Sequence, residues 1–319
     1  MASWDFNAGE HPDSGTAIVE WKNDHGGVKS IPGTDLQGIE FFFRGKDFDK
    51  DATSEWRFEI KQPQAHTFEY LKFLQPSNFY HRAVIAITAA ESLNEAEWNV
   101  GDTVENDKGI KGKVAGVDGD ELFIIDYEQR FPLHWGKDRL IKNLSTSATF
   151  HSEKSREFVN NNKFSTQWQG KYSNGGMTLE THSVTPLSGG EVGVGFCRPV
   201  VNTSNVHKTS GTVKNAFFDN EQGACFNPDN NGKIVEFVIE RKRSSSLTAR
   251  DGGYRIWRKV EDGEWELVFM NMQLQSYVQG ANYFDNGYVM GWSNSGYDED
   301  TTFWLLEWQL WNQKPDFLK

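Results

Sequence analysis

Apolar and polar residues alternate along most of this chain. The runs "IEFFFRG" (39–45), "EWRFEIK" (55–61), "FEYLKFL" (68–74), "KIVEFVIERK" (233–242), "GYRIWRKV" (253–260), "GEWELVFM" (263–270), "YVMGW" (288–292) and "TFWLLEWQLW" (302–311) carry the signal. A two-residue period is that of a strand with one face buried. The runs are rich in aromatic and β-branched residues, and Gly, Asn, Asp or Pro clusters often separate them. Helical spacing is nearly absent, and "AAESLNEAEW" (89–98) is the best helix candidate. The pattern predicts an all-β protein, an antiparallel sandwich or jelly roll of many short strands.

One region departs from this rhythm. Residues 98–143 read as a small self-contained barrel: a strand "VGDTVE", then the hairpin "GIKGKVAGVDGDELFIIDY" with Asp118-Gly119 as its turn. The pattern resembles SH3-like or KOW-type accessory barrels. Some KOW relatives bind RNA, but nine Asp or Glu against seven Lys or Arg here argue against a phosphate backbone. The expected organisation is a discontinuous sandwich, 1–83 and 157–319, with an inserted barrel at 84–156 whose role is docking or spacing. Surface loops tolerate such insertions because extra loop length costs little entropy.

Composition narrows the partners. Hydrophobic residues make up 37% of 319, enough to build a core, so disorder is not expected. The 12 Trp and 23 Phe exceed what that core needs. Surplus aromatics either fill the sandwich or form a platform on which sugar rings stack. A net charge of −12 argues against nucleic acid as partner. It also repels polyanionic glycans at long range, so a uronate substrate would need a local basic cleft. Cys197 and Cys225 are read as two reduced, buried thiols. The first residues show neither the basic nor the apolar segment of a secretory leader, and no run approaches 18 apolar residues. The expectation is a chain without a membrane span that reaches extracellular glycans by another route, such as release in a virus particle.

With the insert removed, "SEWRFEI" (54–60), "FEYLKFLQPSNFYHR" (68–82), "NNKFSTQWQG" (161–170), "RSSSLTARDGGYRIWRK" (243–259) and "GYVMGWSNSGYDEDTTFWLLEWQLW" (287–311) form one series. This series resembles the polysaccharide-lyase-like, concanavalin-A-like jelly rolls of heparin-, glucuronan- and alginate-lyase type, which include bacteriophage proteins. The resemblance covers about two thirds of the chain. Leu306 and Glu307 stand where many relatives end in two aspartates.

The resemblance implies a concave sheet that binds a polysaccharide, and a lyase cleft on it. A lyase neutralises a uronate carboxylate, abstracts the neighbouring proton and protonates the leaving oxygen. On that reading Arg57 and Gln167 hold the carboxylate, His81 is the base and Tyr288 or Tyr80 the acid. Glu59, Tyr80, Lys163, Trp168 and Trp292 contact the substrate. Strand alternation puts Arg57 with Glu59, and Lys163 with Ser165 and Gln167, on shared faces. The plainer readings are a salt-bridge ladder for Arg57 and Glu59, a corner cap for His81 and a solvated sheet position for Gln167. His182 is a further base candidate.

Asp47, Asp49 and Asp51 open like a calcium loop, though Gly is missing at the sixth position and Phe58 holds the twelfth. "YDEDT" (297–301) is a second acidic loop. Hydrolysis is less expected: a retaining glycosidase on such a sandwich usually carries three carboxylates alternating on one strand, and neither Asp126 with Glu128, in the insert, nor Glu236 with Glu240, four apart, has that full spacing; no nucleophile elbow occurs. Three functions follow: a carbohydrate-recognising virion component (tail, adhesion or decoration), an active polysaccharide lyase, or a purely structural virion protein. The expected partners are a glycan, other virion proteins through the barrel, and a second copy of the chain.

Overall fold

The alternating runs become strands whose apolar sides meet across one core. The computed structural model describes residues 2–8, 10, 19–21, 28–45, 52–127, 135–172, 174–183, 193–203, 223–277, 280, 282–294, 297 and 299–318. Strands are numbered along the chain. One sheet of eight runs β19 (Glu266–Leu274), β18 (Gly252–Val260), β17 (Ile234–Lys242), β6 (His66–Leu74), β21 (Thr301–Trp311), β4 (Gln37–Phe43) and β3 (Lys29–Ser30), with β1 (Ala2–Asp5) also on β21. The second, of seven, runs β16 (Ala224–Phe226), β15 (Gly195–Thr203), β14 (Asn174–His182), β13 (Asn161–Trp168), β20 (Phe284–Asn294), β5 (Ala52–Gln64) and β2 (Val19–Trp21). The two pack face to face as an antiparallel β-sandwich.

Phe41, Phe43, Leu71, Phe73, Phe237 and Trp308 of the eight-stranded sheet meet Trp56, Phe58, Phe164, Leu179 and Val289 of the other. The surplus of Phe is spent mainly here. Phe73 packs edge-on against Phe164, Phe226 and Phe303, and Phe226 lies 5.2 Å from Phe303. Such ring pairs add about 0.5–1.5 kcal/mol each beyond the area they bury.

A closed six-stranded barrel interrupts the sandwich. Its order is β10 (Glu121–Ile125), β7 (Ala83–Ala89), β12 (Thr149–Val159), β11 (Leu140–Asn143), β8 (Thr103–Asn106) and β9 (Lys111–Asp118). Ile85, Ile87, Val104, Leu122, Ile124 and Trp135 give it a core separate from that of the sandwich. Its neck is one clamp: Arg82 N–H donates to Asn160 Oδ1 (2.7 Å), and Asn160 N–H donates to Arg82 O (3.0 Å). Chain entry and exit therefore sit side by side, the geometry in which an insertion least disturbs its host. The hairpin turn falls one residue later than expected. Asp118 pairs with Glu121, and Gly119, at φ 61°, leads the turn. The helix candidate at 89–98 is not an α-helix; β7 runs to Ala89, and one 3-10 turn follows at Glu95–Glu97.

Cys197 and Cys225 are not free thiols. Both are fully buried and joined in a disulfide, their Cα atoms 4.9 Å apart. The sequence placed no strand at either cysteine, so their approach on paired β15 and β16 was invisible there. The bridge closes a loop with a sequence separation of 28, for which chain entropy gives about 3–4 kcal/mol of stability. Reduction is expected to lower the guanidinium midpoint accordingly, while Cys197→Ala/Cys225→Ala should match the reduced wild type and gain nothing from oxidant. Among the described residues no helix is long and apolar enough to cross a membrane.

Candidate functional site

The outward side of the seven-stranded sheet gathers aromatic and charged side chains. Trp56, Phe58 and Ile60 of β5 face the core, so Glu55, Arg57 and Glu59 face outward. Tyr288 of β20 sits opposite Arg57 on one side and Thr166 of β13 on the other. The Tyr288 and Trp168 rings lie 5.7 Å apart, and Tyr172 closes over both at 5.9 and 5.7 Å. Gly291 leaves space for this cluster, since a Cβ there would stand 2.8 Å from Tyr288 Cε2. Trp292 on the same strand is 48% exposed, unlike most of the tryptophans.

Three cations on this face are already engaged. Arg57 donates from Nε and Nη2 to Glu55 Oε1, each at 2.7 Å. Arg198 reaches Glu180 at 3.3 Å, and Lys163 donates to Asn294 Oδ1 at 3.0 Å. Burial raises the Glu180 carboxyl pKa, opposed by the charges of Arg198 and Lys163. Burial likewise lowers that of Arg198, opposed by Glu180. The Tyr288 hydroxyl is raised well above an ordinary phenol, first by burial and then by Tyr172. It lies near Thr166 and Tyr172 without a well-formed hydrogen bond to either.

Gln167 is not on this face. A β-bulge shifts the β13–β14 register between Lys163 and Ser165, so Phe164, Ser165 and Gln167 all turn inward while Lys163 stays outward. Across the sandwich, Gln167 Nε2 donates to Glu69 Oε2 (3.3 Å), and Thr67 Oγ1 donates to Gln167 Oε1 (2.7 Å). Gln167 does hold a carboxylate, but it is the protein's own. Glu69 also receives Arg241 Nη1 (2.7 Å), Trp308 Nε1 (2.8 Å) and the Ser165 hydroxyl. Arg241 completes its own bonding at Met177 O and Ser165 Oγ. Both charges are fully buried. The polar character of Glu69 and Arg241 does not mark them as core; their mutual ion pair on neighbouring strands, with Trp308 of the same sheet and Ser165, Gln167 and Met177 O of the other, explains them.

His81 is not on the face either. It is fully buried at the end of the sandwich beside the barrel, stacked on Tyr297 at 5.5 Å and hydrogen-bonded through Nε2 to Thr181 Oγ1. Burial, helped by the nearby His182, lowers its pKa to about 3. Such an imidazole is too weak a base for the role expected of it. Its folded pKa lies below the unfolded value of about 6.5. The neutral ring therefore stabilises the fold fully above pH ~6.5, and that contribution falls as pH drops toward about 3. The slope is up to about 1.4 kcal/mol per pH unit. Guanidinium unfolding of His81→Gln between pH 7 and 4 should lose this part of the wild-type pH dependence; an unchanged dependence would refute the assignment.

Tyr80 lies at the junction of barrel and sandwich rather than on the sheet face. Asp47, Asp49 and Asp51 lie outside the described residues. In the second acidic loop Asp300 Oδ1 accepts the Gly45 N–H at 2.9 Å. Among the described residues no group of three or more His, Cys, Asp or Glu is arranged to hold a metal. Tyr172, Glu55, Glu180 and Arg198, all on the outer face, were missed by sequence reading because loop closure and cross-strand register bring them there.

Fold and face together define an all-β jelly-roll sandwich with an aromatic, charge-paired sheet surface. No family model matches the chain, and no curated protein matches it. Solved structures similar to it include the legume lectin-like domain from Entamoeba histolytica, 8% identical over 98% of this chain and 97% of that one, with a TM-score of 0.40. Another is the PL-14 alginate lyase from Aplysia kurodai, 8% identical over 98% and 90%, with a TM-score of 0.38. The Lotus tetragonolobus seed lectin is 7% identical over 94% and 96%, with a TM-score of 0.33. The roles assigned to residues below rest on this chain's own geometry.

Proposed function

We propose that the protein recognises a neutral glycan on the outer face of its seven-stranded sheet. The carrying observation is exposed Trp292, on the strand whose Tyr288 packs with Trp168 and Tyr172, on a face whose Arg57 and Arg198 are already engaged by Glu55 and Glu180. An ordinary solvated sheet face alternates small polar and charged residues, whereas rings with a polar rim suit sugar faces and their hydroxyls. A uronate would bring a carboxylate to cations engaged by Glu55 and Glu180. Of the residues put forward for elimination, Gln167 and His81 point elsewhere, which favours binding over lyase chemistry.

A glycan array presenting neutral and uronate-containing oligosaccharides tests this reading. Retention of neutral glycans is expected, with no ultraviolet-absorbing unsaturated product from polyuronates. No retention of any neutral glycan, or accumulation of that product, would overturn it. The narrower reading, an adhesion or decoration subunit of a virus particle, is supported by the sequence resemblance and by a barrel with its own core that is suited to seat a neighbouring subunit. Mass spectrometry of purified particles tests it: the chain is expected among their components, and its absence from particles made by cells that express it would refute it.

A further inference from the structure

The inserted barrel meets the sandwich at a cleft of about 270 Å³. Asn78, Tyr80 and Arg82 come from the "SNFYHR" corner, Glu299 and Thr301 from the acidic loop, and Asp126 from the barrel. The cleft thus uses two sequence motifs that the outer face leaves unused.

Its walls are fixed in position. The Tyr80 ring has Gly193 behind it, where a Cβ would stand 2.7 Å from Cε2. The Arg82 guanidinium lies over the same ring, 5.5 Å from its centre. The Tyr80 hydroxyl is within hydrogen-bonding reach of Asp126, which holds a left-handed backbone at φ 50°. Asn78 Nδ2 donates to Asp300 O at 3.0 Å and leans on Glu299 Oε2 at 3.4 Å.

The chemistry of the lining selects a ligand. Arg82 interacts electrostatically with both Asp126 and Glu299, so a metal ion would meet a cation already in place. An anion would face two carboxylates. A ring bearing several hydroxyls, each both donor and acceptor, can use the guanidinium, the amide and the carboxylates together. The volume lies just below the roughly 300–1,000 Å³ of drug-sized sites, which suits a ligand no larger than one sugar ring, and clefts between structural units are where such sites concentrate. We infer that this cleft is a second carbohydrate site, taking a single neutral sugar ring between barrel and sandwich. It is separate from the outer face and does not depend on that face binding anything.

The test is calorimetric titration of the full chain with a panel of free hexoses, N-acetylhexosamines and pentoses at millimolar concentration. One equivalent of at least one sugar is expected to bind, with unchanged affinity in Trp292→Ala. Glu299→Gln and Asp126→Asn replace exposed carboxylates with amides of the same shape, and each should weaken binding at least about tenfold. Circular dichroism and the melting transition confirm that both variants are folded. No binding across the panel, or binding indifferent to both amide variants, would overturn the proposal. Binding lost in Trp292→Ala but kept in the amide variants would also overturn it, by placing the sugar on the outer face. Failure of the glycan array alone would leave this site standing.

Discussion

Arg241→Met is expected to cost the fold about 3–5 kcal/mol. The substitution removes the only cation that touches Glu69 among the described residues and leaves a carboxylate buried between two sheets. Against a total stability of about 5–15 kcal/mol, that is a large share. Most of the penalty comes from the stranded charge rather than from the lost attraction. The double variant Glu69→Met/Arg241→Met should therefore recover part of it, although Ser165, Gln167 and Trp308 would each lose a partner. Gln167→Met, at the rim of the same network, is expected to cost about 1–3 kcal/mol. Guanidinium unfolding of the four proteins checks the series. A double variant no more stable than Arg241→Met would show that the buried charge is not the dominant cost.

Trp292→Ala is expected to do the opposite, leaving stability nearly unchanged and binding badly impaired. About half of this side chain is in solvent, and substitutions at such positions usually stay within about 0.5 kcal/mol. A central aromatic anchor in a recognition surface is worth about 2 kcal/mol, or roughly 30-fold in affinity. Phe42→Ala, an exposed aromatic of comparable exposure on the eight-stranded sheet, serves as the control and should bind as wild type. Titration of the best neutral oligosaccharide against the three proteins reads this directly. Because the ligand is neutral and the ion pairs are internal, affinity should change little with salt, whereas a polyuronate held by exposed cations would be released as salt rises.

The strands were legible because alternation reports one buried face, and a buried face is what each run has. "EWRFEIK" shows this well: Trp56, Phe58 and Ile60 enter the core, and Arg57 faces out. The inserted barrel was visible through its hairpin and its change of rhythm. The site was only half legible, because alternation fails wherever the ladder slips. One bulge after Lys163 sends Gln167 inward, so Arg57 and Gln167, expected to share a hollow, face opposite sides of their sheet. Met290, at φ 57°, marks the matching irregularity on β20. A polar residue such as Gln167 looks solvated in sequence. Only the distant partners Glu69 and Thr67 make its burial affordable in free energy, and neither the disulfide nor this network leaves a local signature.

Hydrogen–deuterium exchange with and without the best neutral oligosaccharide tests the outer-face assignment most directly. Protection is expected in peptides from Ala52–Gln64, Asn161–Trp168 and Phe284–Asn294, the strands that carry Arg57, Trp168, Tyr288 and Trp292. Protection confined to the eight-stranded sheet or to the barrel junction, with those three strands unchanged, would contradict it.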